Sequence, residues 1–167
     1  IYFEASPACA VNNAEQESVS KSYRKEGLTF VSTGSKEQKI LHRKGDQIKI
    51  DWGYFYLSAA DNGTTQSVGG AMTLRKAFAA NGKLDGKTAS ADNANIAVAR
   101  SLGRSVEAEG MVMAGFDDIY SIQYFKTDLR PYWNRKGDSS IERQFALAAR
   151  DYTALKRKCG EFDRELM

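Results

Sequence analysis

The spacing of apolar residues changes once along the chain, at Gly137, and this change constrains the fold more than any other feature. Before Gly137, short alternating runs of apolar and polar residues are separated by turn-forming residues. After it, apolar residues recur at intervals of three and four. A period of two is typical of β-strands, and a period near 3.5 is typical of a helix. We therefore predict a mainly β protein, an antiparallel β-sandwich with one short internal helix and a long C-terminal helix. The β-sandwich domain would span residues 1–137, and the helix, a linker, would span residues 138–167.

The alternating part of the chain predicts a series of short strands. They are expected at residues 1–4, 15–24, 28–32, 40–42, 47–57, 64–68, 96–102 and 106–114. The polar strand at 15–24 is expected at an edge or facing solvent. Asp61, Asn62 and Gly63 supply the backbone conformations of a tight hairpin turn, which would fold residues 64–68 back onto the preceding strand.

The densest aromatic stretch of the sequence is residues 116–133, with six aromatic side chains. Apolar residues occupy both alternating positions of its first half, which predicts a strand buried on both faces. Pro131 cannot donate to a sheet ladder, so residues 129–133 are expected to leave the sheet as an ordered segment anchored by aromatic side chains.

Two helices are predicted. Ala71, Leu74, Ala77 and Phe78 recur at helical spacing, and Gly82 stands where a helix ends. The long C-terminal helix is predicted over residues 141–166, with a capping box formed by Ser139 and Glu142. One stripe of this helix is apolar; it comprises Ile141, Phe145, Ala148, Tyr152, Leu155, Cys159, Phe162 and Leu166. This stripe would pack against the sandwich, against a neighbouring domain, or partly against each.

Length and composition exclude some classes of protein. A chain of 167 residues with 42% hydrophobic content suits one core. No apolar run approaches the ~20 residues that cross a bilayer, so no membrane span is expected. The net charge is +3, and the lysines and arginines are scattered among acidic residues along the sequence. No basic patch for nucleic-acid binding is therefore predicted. Cys9 and Cys159 have no metal-ligand spacing and are expected to be free, buried thiols. No cofactor and no metal site are expected.

Several residues invite a chemical interpretation, and each has a plainer one. Adjacent Asp117 and Asp118 would point to opposite faces of a strand, so hydrogen bonding at a strand entrance is favoured over shared catalysis, with contact to a neighbouring domain's site as a third possibility. His42, the only histidine, is expected at the surface. The glycines of the sequence Gly-Lys-Leu-Asp-Gly-Lys-Thr at residues 82–88 are too close together for a phosphate-binding loop. The Ser18-x-x-Lys21 pattern of lactamase-like enzymes does not lie in a predicted helix.

The aromatic residues of the strands also allow two interpretations. They could fill the core, or several could form a platform for stacking sugars, and their alternation favours the core. The residues concerned are Trp52, Tyr54, Tyr56, Tyr120, Tyr124, Tyr132 and Trp133.

Three regions of the sequence resemble the glutaminase A family of large secreted bacterial and fungal proteins. The first comprises residues 117–125, Asp-Asp-Ile-Tyr-Ser-Ile-Gln-Tyr-Phe, followed by residues 129–133, Leu-Arg-Pro-Tyr-Trp. The second is residues 46–57, Asp-Gln-Ile-Lys-Ile-Asp-Trp-Gly-Tyr-Phe-Tyr-Leu. The third is residues 2–12, Tyr-Phe-Glu-Ala-Ser-Pro-Ala-Cys-Ala-Val-Asn.

The resemblance implies a domain of a longer, secreted or periplasmic glutaminase, in which a β-sandwich precedes a helical toroid. Its parent would bind a small-molecule substrate and hydrolyse L-glutamine to glutamate and ammonia, with the catalytic residues in the toroid. The sandwich would then be inactive alone and would support the site or wall it. The candidate wall or interface residues are Asp117, Asp118, Tyr120, Tyr124, Arg130 and Trp133. The rival interpretation is a carbohydrate-binding or accessory domain of a glycoside hydrolase-like enzyme, because the same architecture serves both classes.

Overall fold

A computed structural model describes residues 1–43, 45, 49–104 and 108–167 of the chain. The strands are β1 (Tyr2–Ala5), β2 (Ser18–Lys25), β3 (Leu28–Ser35), β4 (Tyr54–Ala60), β5 (Thr64–Gly69), β6 (Ser90–Asp92), β7 (Asn95–Arg100), β8 (Met113–Asp117), β9 (Ile122–Tyr124) and β10 (Thr127–Leu129). The α-helices are α1 (Ala71–Asn81) and α2 (Ile141–Leu166), and short 3-10 turns occupy Pro7–Cys9 and Tyr132–Asn134.

Two antiparallel sheets face each other, which confirms the predicted fold class. The larger has the strand order β6-β2-β3-β4-β8, and the smaller has the order β1-β7-β5. Val31 and Leu57 of the larger sheet meet Val68, Ile96 and Val98 of the smaller one in a buried cluster. Because every second residue of these strands points between the sheets, the other residues of the larger sheet form an outer face.

The turn between β4 and β5 does not close a hairpin, although the sequence predicted one. β5 pairs with β7 in the other sheet, so the chain crosses from one layer to the other at Gly63, whose φ is 74°. Arg100 holds this corner, because its Nη1 donates to the carbonyls of Ala60 and Asn62 and to the hydroxyl of Thr64, at 3.1, 3.2 and 3.1 Å. A distant side chain therefore occupies acceptors on both sides of the turn.

The strand predicted at residues 47–57 begins later, at Tyr54, and extends to Ala60. Residues 46–48 lie outside the described residues. Gly53, with φ of 80°, turns the chain into β4, and a Cβ there would overlap the carbonyl oxygen of Asp117. The strand predicted at 40–42 is instead a turn, with Leu41 at φ of 54°.

Two other strand predictions need correction. β2 is not an edge strand, because it pairs with β3 over its whole length and with β6 at Val19, Ser20 and Lys21. The other predicted alternative holds in part, since Lys21, Arg24 and Lys25 are exposed. The strand predicted at 106–114 is β8, which begins at Met113; residues 105–107 lie outside the described residues.

Both helices occupy the predicted residues. α1 ends at Gly82, whose N–H donates to the Phe78 carbonyl at 2.7 Å in a left-handed cap. The N-cap of α2 is Ser140 rather than Ser139, and its Oγ accepts the Arg143 N–H at 3.3 Å. No described helix has the length and apolar content needed to cross a membrane.

The docking of α2 is confined to its first turns. Phe145 is buried against Phe30 and Tyr56 on the outer face of the larger sheet, and Ile141, Ala146 and Ala149 join the same cluster. The later stripe residues Tyr152, Leu155, Phe162 and Leu166 are exposed. Cys159 and Cys9 are free, as predicted, but both thiols are exposed rather than buried.

Candidate functional site

Residues 116–133 do not form one buried strand, and that prediction was wrong. β8 ends at Asp117, and a separate hairpin of β9 and β10 follows, turning at Phe125 and Lys126 with φ of 45° and 63°. Both residues of this turn have positive φ, as in type I′ turns. β9 and β10 pair only with each other among the described strands, and all the residues of both strands are exposed.

This hairpin exposes much apolar surface. Ile122, Tyr124 and Phe125 have exposed fractions of 55, 62 and 85%. Tyr124 and Phe125 pack edge to face at 4.6 Å between ring centroids. We call these three residues, together with Leu129, the apolar hairpin.

The root of the apolar hairpin is fixed to the sandwich. Buried Trp52 donates its Nε1–H to the Tyr120 carbonyl at 3.0 Å. The Arg130 guanidinium lies 4.8 Å from the centre of the Tyr120 ring and donates to its hydroxyl at 3.4 Å. Gly137 leaves room for this arginine, because a Cβ there would lie 3.3 Å from Arg130 Nε. The structure thus brings Tyr120 and Arg130 together, two of the residues singled out from the sequence.

Asp117 and Asp118 lie at the end of β8. The Asp117 carboxylate accepts the Ile119 N–H at 3.0 Å, so it has the predicted structural hydrogen bond, but at the exit of β8 rather than at a strand entrance. Burial is the main cause that raises the pKa of Asp117, and the neighbouring charge of Asp118 raises it further. Tyr124 lies on the hairpin and Trp133 in the following 3-10 turn, and no hydrogen bond joins either side chain to the two aspartates within the described residues.

A groove that the sequence analysis missed lies on the outer face of the larger sheet. Its floor is the central strand β3, where Ser32 and Gly34 lie on the outer face and alternate with residues that point between the sheets. Its volume is about 480 Å³. We call it the tyrosine groove; its principal lining residues are Lys21, Tyr23, Ser32, Tyr54, Tyr56 and Ser90. The sequence shows the three tyrosines, but their grouping around Ser32 and Gly34 depends on the register of the strands.

Glu142, the second residue of α2, also lines the tyrosine groove. Its carboxylate accepts the Tyr23 hydroxyl at 3.1 Å and pairs with Lys25 at 3.4 Å. Burial alone would raise the pKa of Glu142, but hydrogen bonds, with that from Ser140 the largest, and the charge of Lys25 hold it below the ordinary value. Burial raises the pKa of both Tyr23 and Tyr56 above an ordinary value that already leaves a tyrosine hydroxyl protonated at neutral pH.

A third polar cluster surrounds Asp51, which is fully buried. Its Oδ2 accepts Arg43 Nε at 2.6 Å and Gln16 Nε2 at 3.1 Å. His42 is exposed, as predicted, and its Nδ1 lies 3.9 Å from Asp51 Oδ1. The pair with Arg43 links two points of the loop before β4, and separating it would leave a buried charge uncompensated. The bond from Gln16 ties this loop to the segment just before β2.

No group of three His, Cys, Asp or Glu side chains within the described ranges is close enough to hold a metal ion. No serine, threonine or cysteine in the same ranges is hydrogen-bonded to His42. Two surfaces of the described residues remain as candidates for function. The apolar hairpin is suited to contact with another protein surface, and the tyrosine groove has the size of a small-molecule site.

Comparison with known proteins gives one match. The sequence model of a family described as a domain of unknown function, DUF5127, matches residues 1–167. No curated protein and no solved structure matches the chain.

Proposed function

The chain belongs to the DUF5127 family, and we propose that it is a non-catalytic β-sandwich domain of a glutaminase-like hydrolase. The parent enzyme would convert L-glutamine and water to glutamate and ammonia. This domain would support a helical catalytic domain of the same parent enzyme. The parent enzyme would be secreted or periplasmic. The resemblance of residues 2–12, 46–57 and 117–133 to glutaminase A proteins supports the choice of reaction.

The observation that carries the supporting role is the apolar hairpin. Its residues expose apolar surface that the sandwich does not use, and exposed patches of this kind mark contact sites. Its root is held by Trp52 and Arg130, so little conformational freedom would be lost when a partner domain covers it. A fixed apolar projection suits a permanent contact between domains of one chain.

The exposed half of α2 supports the same proposal. Its stripe continues beyond the sandwich through Tyr152, Leu155, Phe162 and Leu166, where no described residue buries it. The non-catalytic role is supported by Asp117, whose carboxylate is engaged by the Ile119 N–H. It is further supported by His42, which has no hydroxyl or thiol hydrogen-bonded to it among the described residues.

The test uses the parent enzyme with Ile122→Ser and Phe125→Ser introduced together. We expect a lower melting temperature of the parent and a loss of glutamine turnover on mild heating, because the domain contact is weakened. The matched control is Met72→Ser, which changes an exposed apolar residue of α1 and should leave both properties unchanged.

The 167-residue chain alone should release no ammonia from glutamine. The supporting role would be refuted by glutamine turnover in this purified chain that a point change within it abolishes. A parent that the double change leaves as stable as the Met72→Ser control would refute the contact through the hairpin.

A further inference from the structure

We propose that the tyrosine groove binds a saccharide ring. This site is separate from the apolar hairpin, and the proposal does not depend on the reaction of the parent enzyme.

The strand register builds the groove from three parallel rows of side chains. The middle row crosses four strands and is mostly polar, since Ser90 lies opposite Lys21, Lys21 opposite Ser32, and Ser32 opposite Tyr56. The row on one side contains Tyr23 opposite Phe30, and their rings stack at 5.3 Å. The row on the other side contains Gly34 opposite Tyr54.

Two small residues of β3 shape the groove, Ser32 as part of its floor and Gly34 by accommodating the Tyr54 ring. Ser32 contributes a short side chain to the floor, between the tyrosines on either side. Gly34 has no room for a Cβ, which would overlap the Tyr54 ring. Tyr54 therefore lies across the backbone of β3 as a wall. A depression of about 480 Å³ falls within the size range of small-molecule sites.

Polar groups in the groove lack protein partners. Within the described residues, the hydroxyls of Tyr54, Tyr56, Ser32 and Ser90 make no hydrogen bond, and the Lys21 ammonium makes no ion pair. Hydroxyls both donate and accept, whereas a lysine only donates. The Glu142 carboxylate, oriented by Tyr23 and Lys25, adds an acceptor.

A saccharide matches this combination of surfaces. Its ring has an apolar C–H face, which packs on aromatic side chains, and a rim of hydroxyls, which exchange hydrogen bonds with tyrosine, serine and lysine. Lys25 already pairs with Glu142, so Lys21 is the one uncompensated charge among the lining residues that the structure describes. A single lysine, with a carboxylate facing the same groove and no arginine beside it, lacks the bidentate donor that selects a phosphate or a nucleotide. A neutral polyol is thus favoured over an anion.

The experiment is an NMR titration of the 167-residue chain with glucose, galactose, N-acetylglucosamine, maltose, cellobiose and lactose. We expect at least one sugar to cause saturable shifts at the backbone amides of Lys21, Ser32 and Ser90. Tyr54→Ala should weaken that binding about tenfold, because it removes the stacking wall. Lys21→Met should weaken it about threefold, because it removes one hydrogen-bond donor while keeping the apolar stem.

The control is Tyr132→Ala, which removes a tyrosine exposed outside the groove and should leave the affinity unchanged. Lys21→Met and Ser90→Ala decide the outcome if Tyr54→Ala fails to fold, since both change side chains exposed on the surface. The proposal is overturned if no sugar shifts the three amides, or if affinity survives the groove variants. It is also overturned if indole, an aromatic probe without hydroxyls, binds the groove more tightly than every sugar.

Discussion

β4 and the apolar hairpin are both rich in aromatic and aliphatic side chains, yet these side chains are buried in β4 and exposed in the hairpin. Tyr56 and Leu57 of β4 have exposed fractions of 9 and 5%, whereas Tyr124 and Phe125 have fractions of 62 and 85%. β4 pairs with β3 on one side and β8 on the other. The smaller sheet covers its inner face and the first turns of α2 cover part of its outer face. The hairpin has no such neighbours among the described residues.

This difference shows that composition sets how much apolar surface a strand carries, while neighbouring layers decide whether it is buried. A two-stranded hairpin cannot bury both of its faces by itself. The same kind of side chain therefore stabilises the fold in β4 and remains available for contact in the hairpin. Four changes test this contrast.

The largest effect is expected for Trp52→Ala, just before β4. Trp52 is buried, and its indole N–H bonds to the Tyr120 carbonyl, so the change leaves a cavity and an unpaired acceptor. We expect a loss of about 3–5 kcal/mol in the free energy of unfolding, measured by urea denaturation. A loss below about 1 kcal/mol would show that the buried residues around β4 contribute little more to stability than the exposed residues of the apolar hairpin.

Phe145→Ala should come next, because it removes the side chain by which α2 covers β4. Phe145 packs edge to face on Phe30 at 5.6 Å and lies against Tyr56. We expect a loss of about 3 kcal/mol in the free energy of unfolding.

In the unchanged chain, hydrogen exchange should already be faster from Cys159 onward than around Phe145, since the later turns of α2 are not buried. Uniformly slow exchange along α2 in a monomeric sample would contradict this account.

A smaller, pH-dependent effect is expected at Asp117, where β8 passes into the segment leading to the hairpin. Its folded-state pKa is raised from 3.8, chiefly by burial. The fold therefore favours the neutral acid, and this contribution is lost as pH rises through the folded pKa. Asp117→Asn should stabilise the protein at pH 7, by less than about 1 kcal/mol because the group is partly solvated.

The advantage of Asp117→Asn should vanish below the unfolded pKa, where the aspartate is also neutral. Melting curves of both proteins between pH 3 and pH 7 measure this dependence. An advantage that stays constant over that range would show that the charge of Asp117 is not its cause.

The smallest effect is expected for Phe125→Ser at the tip of the hairpin. The side chain is almost fully exposed, so the free energy of unfolding should change by no more than about 0.5 kcal/mol. The change is a direct counterpart to Trp52→Ala, measured under the same conditions. A loss above about 2 kcal/mol would mean that the hairpin is packed in solution and would remove the contrast.

Some of the candidate functional residues could be identified from the sequence, and others could not. Tyr120 and Arg130 were singled out by the resemblance of their segment to glutaminase A proteins, and they meet in the structure. Residues of the tyrosine groove could not be grouped, because Tyr23, Ser32 and Tyr56 lie on three different strands. A local pattern identifies a strand, but it does not state which residue of another strand lies opposite.

The sequence by itself determined the mainly β class, both helices and the left-handed cap at Gly82, because these depend on periodicity and backbone preferences within a few residues. Only the tertiary structure decided that β5 crosses to the other sheet, that residues 122–129 leave the core, and that a groove opens over Ser32. Each of these depends on a residue distant in sequence, such as Arg100 at the β4–β5 corner or Trp52 at the hairpin root. Burial is a property of the surroundings, and a segment's own residues do not specify which surroundings the rest of the chain will provide.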